Sequence, residues 1–208
     1  MRDKETTESL TDDKLLTMLK ENDSQAMQKL IDVFGERFYA LSKRILNNEE
    51  DARESVQETF MIIWEKWPSF KGNSKFSSWV HRIAANAALM KLRKIKKQRR
   101  NISIDQFNTQ LSNVFEKELH IPNNFDLHKP VAPDKLLENV EFREMVNQLI
   151  LELPDHHRIA YTLKDIEGMS IKEISEIIEE SEAAVKSRVH RARKELREKL
   201  KKKISEMN

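Results

Sequence analysis

Apolar residues that recur every third or fourth position, with almost nothing to interrupt them, restrict this chain to an all-α fold. Over residues 24–46 the run Ala26, Leu30, Val33, Phe34, Phe38, Leu41 and Ile45 lays one stripe along a 3.6-residue period. Asn47-Asn48 breaks it. A second helix is expected from about Glu49 to Trp67, with Ala52, Val56, Phe60, Ile63 and Trp67 facing inward, and Pro68 stops it. Gly72 and Asn73 mark a loop over residues 69–74. A third helix follows from about Lys75 to Arg100, carried by Phe76, Trp79, Val80, Ile83, Ala84, Ala87 and Leu92. At this spacing Trp64, Trp67 and Trp79 read as core. The three helices can share one core, so residues 24–100 read as a small helical domain preceded by an extension over residues 1–23. With only 3 Gly and 5 Pro in 208 residues there is little material for tight turns. A hydrophobic share of 38% suits compact helical cores, not a large central sheet.

The period is lost over residues 101–132, where Pro122, Asn123-Asn124 and Pro130 appear. This predicts a linker over residues 101–133, longer than most connections inside a compact domain. Helical spacing returns at Pro133 with Leu136, Leu137, Val140, Phe142, Val146, Leu149 and Leu153, and ends before Pro154. A second small domain is therefore expected over residues 134–208. Its latter part starts with a short helix from His156 to Ile166, closed by Gly168. Ser170 and Glu173 fit a capping box for the next helix, whose apolar side is Ile171, Ile174, Ile177 and Ile178. Ser181 is a natural N-cap for the last helix. There Val185, Val189, Ala192, Leu196 and Leu200 form the buried stripe, and Lys186, Ser187, His190, Arg191, Arg193, Lys194 and Arg197 lie outside it. A short helix, a tight turn and a longer helix with a basic outer face is the helix-turn-helix arrangement. The competing reading is an ordinary helical hairpin with a charged surface.

Charge separates the two readings further. The net charge of +2 conceals four blocks: −5 over residues 1–60, +10 over 61–104, −10 over 105–182 and +7 over 183–208. Solvated helix faces usually mix both signs, so two isolated basic blocks point to a polyanionic partner. Other classes fall away. Without Cys there is no disulfide framework or thiolate metal site. No apolar run approaches the roughly 18 residues of a membrane span, and MRDKETTESL has no apolar signal core behind it. A cytoplasmic protein without membrane insertion is expected. No Ser/His/Asp or Cys/His set and no phosphate-binding glycine loop is present, so an enzyme is not expected, nor a cofactor. His156 and His157 are adjacent and do not form an i, i+4 metal pair. A regulator using only the helix-turn-helix would leave the basic helix after Trp79 and the acidic helix before it unexplained.

Two blocks carry a family resemblance. Residues 51–60 (DARESVQETF), Phe70-Lys71-Gly72 and residues 76–86 (FSSWVHRIAAN) resemble region 2 of the extracytoplasmic-function sigma factors. Residues 151–154 (LELP), 167–170 (EGMS), Glu173-Ile174 and 185–193 (VKSRVHRAR) resemble region 4 of the same family. The resemblance covers roughly residues 24–100 and 134–200. It implies a transcription-initiation factor that docks on core RNA polymerase, binds promoter DNA and is often restrained by an anti-sigma factor. Glu54, Gln57 and Glu58 then match the polymerase-docking helix, although by themselves they read as a solvated face. The melted minus-ten strand is implied at Phe70, Lys71, Asn73 and Lys75 of the loop and at His81, Arg82 and Asn86 of the following helix. Asn86 offers both donor and acceptor to a base edge, and Lys91, Arg93, Lys94, Lys96, Lys97, Arg99 and Arg100 offer cations to phosphates. The minus-35 duplex is implied at Lys186, Ser187, Arg188, His190, Arg191, Arg193 and Lys194. Relatives often place Gly in the turn, whereas this chain has Glu179, Glu180 and Glu182. These carboxylates suit a helix N-terminus but repel phosphate.

Overall fold

The computed structural model describes residues 12–21, 23–99 and 140–207. The expected linker, Arg100, and the Leu136 and Leu137 start of the next helix lie outside them. The described residues form helices and no strand. The chain divides into two compact units between Phe125 and Asp126.

The first unit contains α1 (residues 12–20), α2 (Ala26–Leu46), α3 (Glu49–Lys66) and α4 (Phe76–Arg99). The asparagine pair makes the α2–α3 corner. Asn47 adopts the left-handed conformation at φ 54°, which Asn tolerates better than most residues. The Asn48 side chain accepts from the Asp51 N–H at 3.0 Å as N-cap. Glu49, Glu50 and Asp51 fill the first turn of α3, where the helix dipole favours carboxylates. Lys43 Nζ meets Glu49 at 2.7 Å across the corner. That hydrogen bond holds the Glu49 carboxyl below its ordinary range and raises the Lys43 ammonium.

Phe38 sits at the centre, fully buried, with ring centroids 5.5 Å from both Phe34 and Phe60. Where α2 meets α3, small polar residues lie beside the Phe38–Phe60 contact. Ser42 and Ser55 are buried with their hydroxyls 3.4 Å apart, and Thr59 donates to the Ser55 carbonyl at 2.7 Å. The buried face of α3 includes these small residues and is rotated from the expected stripe. Ser55 and Thr59 are buried, Val56 and Trp67 are only partly so, and Trp64 is 45% exposed. Val33 is likewise turned outward at 38% exposure. Pro68 sits in a short 3-10 turn, Trp67–Ser69. The region read as an extension supplies α1, whose Leu15 and Leu19 are buried. Asp12 accepts hydrogen bonds from Ser77 N–H and Oγ, both at 2.9 Å, at the start of α4.

The second unit contains α5 (Val140–Leu151), α6 (Asp155–Tyr161), a π-turn (Thr162–Ile166), α7 (Ile171–Ile178) and α8 (Glu182–Met207). Leu149, Ile150 and Leu196 form a buried cluster, flanked by Val146, Tyr161, Ile166 and Leu200. Gly168 takes φ 72° after the π-turn, a conformation glycine adopts without steric cost. The Ser170–Glu173 capping box is present in both directions, at 3.1 and 2.8 Å. The Val185, Val189, Ala192 and Leu196 stripe of α8 is buried. Glu179 ends α7 in the left-handed conformation, φ 58°, where a side chain costs roughly 1 kcal/mol or more. Glu179→Gly is therefore expected to stabilise this unit by about 0.5–1 kcal/mol, the relief of strain being partly offset by Gly entropy. Chemical denaturation followed by helix content checks it, and a less stable variant would refute it.

Candidate nucleic-acid and protein interfaces

In the first unit the outer side of α3 is set by which residues it buries. Ala52, Ser55, Thr59 and Ile63 face the core, so Gln57 and Glu58 stand in solvent. Glu54 is different. Although 59% exposed, it makes a close ion pair with Lys91 of α4, whose ammonium also lies 4.0 Å from Asp51. The hydrogen bond from Lys91 lowers the Glu54 carboxyl below its usual range. Glu54 and Lys91, expected to meet polymerase and DNA respectively, here join α3 to α4. Met61 and Trp64 lie one and two turns beyond Gln57 on the same face, 71% and 45% exposed. Sequence spacing assigned Trp64 to the core. The signal against that was the Ser55–Thr59 pair, two small polar residues on the buried face of the helix.

The loop before α4 is anchored at its start. The Phe70 ring lies 5.4 Å from both Phe76 and Trp79, whose own rings are 5.7 Å apart. Lys71, Asn73 and Lys75 are exposed. Beyond the loop every residue from Ser78 to Leu92 is buried. The His81 ring meets Phe34 and Phe38 edge-on at 5.9 and 5.2 Å, so in this structure it serves the core. Arg82, Asn86 and Lys91 are 8%, 5% and 9% exposed. All three side chains are thus buried in this structure. Arg93 is half-buried, with Nη1 3.5 Å from the Met90 sulfur, Lys97 is half-buried, and Lys94 and Lys96 are exposed.

In the second unit the cations of α8 fall into two groups. Ser187, His190 and Arg191 are exposed on the side opposite the buried stripe. Lys186 and Lys194 are also exposed, in loose pairs with Glu182 at 3.8 Å and Glu198 at 4.0 Å. Arg193 instead makes a two-armed bond to Asp165 of the π-turn, at 2.9 and 2.5 Å, which raises its already high pKa. Arg188 bonds Glu180 in the turn at 2.6 Å. α8 thus carries a compact exposed strip of polar and basic residues, with two arginines bonded to carboxylates of its own unit. Arg158, which sequence reasoning passed over, is 3% exposed and holds the turn between α5 and α6. Among the described residues no group of three or more His, Asp or Glu could hold a metal ion. Among them, too, no helix is long and apolar enough to cross a membrane.

Comparison with known proteins places both regions. The family model for Sigma-70 region 2 matches residues 30–99, and that for Sigma-70, region 4 matches residues 143–196. The chain is similar to the ECF RNA polymerase sigma factor SigW of Bacillus subtilis (strain 168), 30% identical over 187 residues, covering 90% of this chain and 95% of that one. It is also similar to the ECF RNA polymerase sigma-E factor of Escherichia coli (strain K12), 31% identical over 186 residues, covering 89% and 92%. Among solved structures, CnrH in complex with the cytosolic domain of CnrY shares the fold with a TM-score of 0.52 and 20% identity, covering 92% of this chain and 97% of that one.

Proposed function

The chain belongs to the extracytoplasmic-function sigma factors of the sigma-70 family, a family of transcription-initiation factors, and from that premise we propose that it docks on core RNA polymerase, directs it to particular promoters and assists their melting. The observation that carries the reading is the pairing, in one chain, of an open polar face on α3 with an open basic strip on α8. In this reading Gln57 and Glu58 dock on polymerase, with Met61 and Trp64 extending the contact as apolar anchors. The loop residues Phe70, Lys71, Asn73 and Lys75, with Arg82, Asn86, Arg93 and Lys94, hold the melted minus-ten strand. Base capture of this kind needs hydrogen-bonding side chains beside cations, with aromatic rings near by. Lys186, Ser187, His190, Arg191 and Lys194 read the minus-35 duplex and bind its backbone. The protein acts in the cytoplasm without chemistry or cofactor of its own, and an anti-sigma factor restrains it.

Run-off transcription with core polymerase on a promoter pool tests this directly. Specific start sites that appear only with the added chain are expected, and none would refute it. The docking face has its own test. Glu58→Lys is expected to weaken core association at least about tenfold, the scale of a moderate interface hot spot. Its circular dichroism should be unchanged because Glu58 is exposed. Unaltered affinity in a titration would return Glu58 to the role of a solvated residue.

A further inference from the structure

We propose that Arg188 is a positioning residue for minus-35 recognition, a brace that sets how α8 leaves the turn, and not a DNA contact. The proposal rests on the sigma-factor reading above and concerns how its second unit is held in register.

The turn between α7 and α8 is built without the glycine that would make it easy. Glu179 occupies a left-handed conformation, and the N–H groups of Glu179 and Glu180 both reach the Ser175 carbonyl. Ser181 caps α8 by accepting from the Ala184 N–H at 3.2 Å. Those bonds fix the turn against α7 and the first turn of α8. The connection from the turn deeper into α8 is the Arg188–Glu180 pair, eight residues apart in sequence, at 2.6 Å.

Position on the helix explains why Arg188 is free to do this. At roughly 100° per residue, Arg188 stands about 70° to one side of the Val185–Val189–Ala192–Leu196 stripe, and Arg193 about 70° to the other. Each flank is tied to a carboxylate: Arg188 to Glu180, Arg193 to Asp165. The helix is thus held on both flanks, and the outer strip is left to Ser187, His190 and Arg191. Charge points the same way. Glu180 belongs to the acidic turn that must approach phosphate, and Arg188 neutralises it. An arginine drawn away to DNA would leave that carboxylate unmatched beside the backbone.

The two roles predict opposite results for the partner residue. If Arg188 braces, Glu180→Gln breaks the same link as Arg188→Gln. Both should then lower discrimination among minus-35 bases by about fivefold or more, and the double variant should do no worse than either single one. If Arg188 binds phosphate, Glu180→Gln frees it and removes a repelling charge, so promoter binding is unchanged or stronger. Arg188→Gln would then weaken every sequence by one factor and lower the salt slope by about one.

The experiment measures transcription by the full-length variants with core polymerase on every single-base variant of the preferred minus-35 element, and holoenzyme binding across a salt series. Helix content and melting of each variant show that it is folded. Matching loss of preference in both single variants, without further loss in the double, is expected. Retained preference in Glu180→Gln, or a common scaling factor with a reduced salt slope in Arg188→Gln, overturns the proposal. Wild-type protein that shows no polymerase-dependent preference would instead refute the sigma-factor reading itself.

Discussion

Arg158→Ala is expected to destabilise the second unit by about 3 kcal/mol, the scale for breaking a buried charged network. The guanidinium is 3% exposed. One nitrogen donates to the Leu153 carbonyl at 2.9 Å and lies 3.5 Å from that of Leu151, and another bonds Asp155 at 2.8 Å. These carbonyls lie at and just beyond the end of α5, where the last turn of a helix has no partners of its own. Truncation leaves them without this donor and opens a void under the turn. A unit of this size holds only about 4–10 kcal/mol in total, so the loss is a large fraction. All three tryptophans, Trp64, Trp67 and Trp79, lie in the first unit, which makes the effect separable. The helix signal should lose part of its amplitude at lower denaturant, while tryptophan emission should keep its midpoint. Arg158→Lys should restore little, because a single ammonium does not reproduce the forked geometry. An unchanged helix transition would show that the turn holds without the arginine.

Arg191→Ala is expected to reduce function on the preferred minus-35 sequence by about 1–3 kcal/mol, roughly 5- to 150-fold, and to flatten the base preference there. Arg191 is exposed, lies one turn past Ser187 and stands about 130° round the helix from the buried stripe. In the proposed docking of α8 that orientation would turn its fork toward base edges. Lys202, near the end of α8, is exposed as well, but it lies three turns beyond Arg191. Its replacement should weaken all sequences nearly equally and lower the salt slope by at most about one. Promoter output from each single-base variant separates the two. If Arg191→Ala scales every variant by one factor, Arg191 is a phosphate contact and α8 lies in the groove in a different orientation.

Most of the helices were legible because their breakers are few and unambiguous. Asn47-Asn48, Pro68, Gly168 and Ser170 each act at the position where the sequence placed them. The rotation of α3 was not legible from hydrophobicity, because its buried face includes the small polar residues Ser55 and Thr59 beside Phe60, and a hydropathy stripe cannot weight small size against apolar character. Trp64 was misread for that reason. The helix over residues 12–20 carries only a short apolar pattern, and its place depends on Ser77, far along the chain. In α8 the basic face was plain from spacing. The division into open and committed cations was not, because Arg188–Glu180 and Arg193–Asp165 are set by where the turn and π-turn bring their carboxylates.

The Asp12–Ser77 contact also has a kinetic meaning. Its partners are 65 residues apart, so α1 is synthesised well before the residue it caps exists. At about 5–20 residues per second the gap lasts roughly 3–13 s, far longer than the microseconds in which a short helix forms and melts. During that interval Leu15 and Leu19 have no completed core to enter, and the hydrophobic side of α1 is open to whatever else is near. The Asp12–Ser77 bond can therefore close only after translation has passed the start of α4, whereas the hydrogen bonds inside each helix can form as soon as that helix has been made.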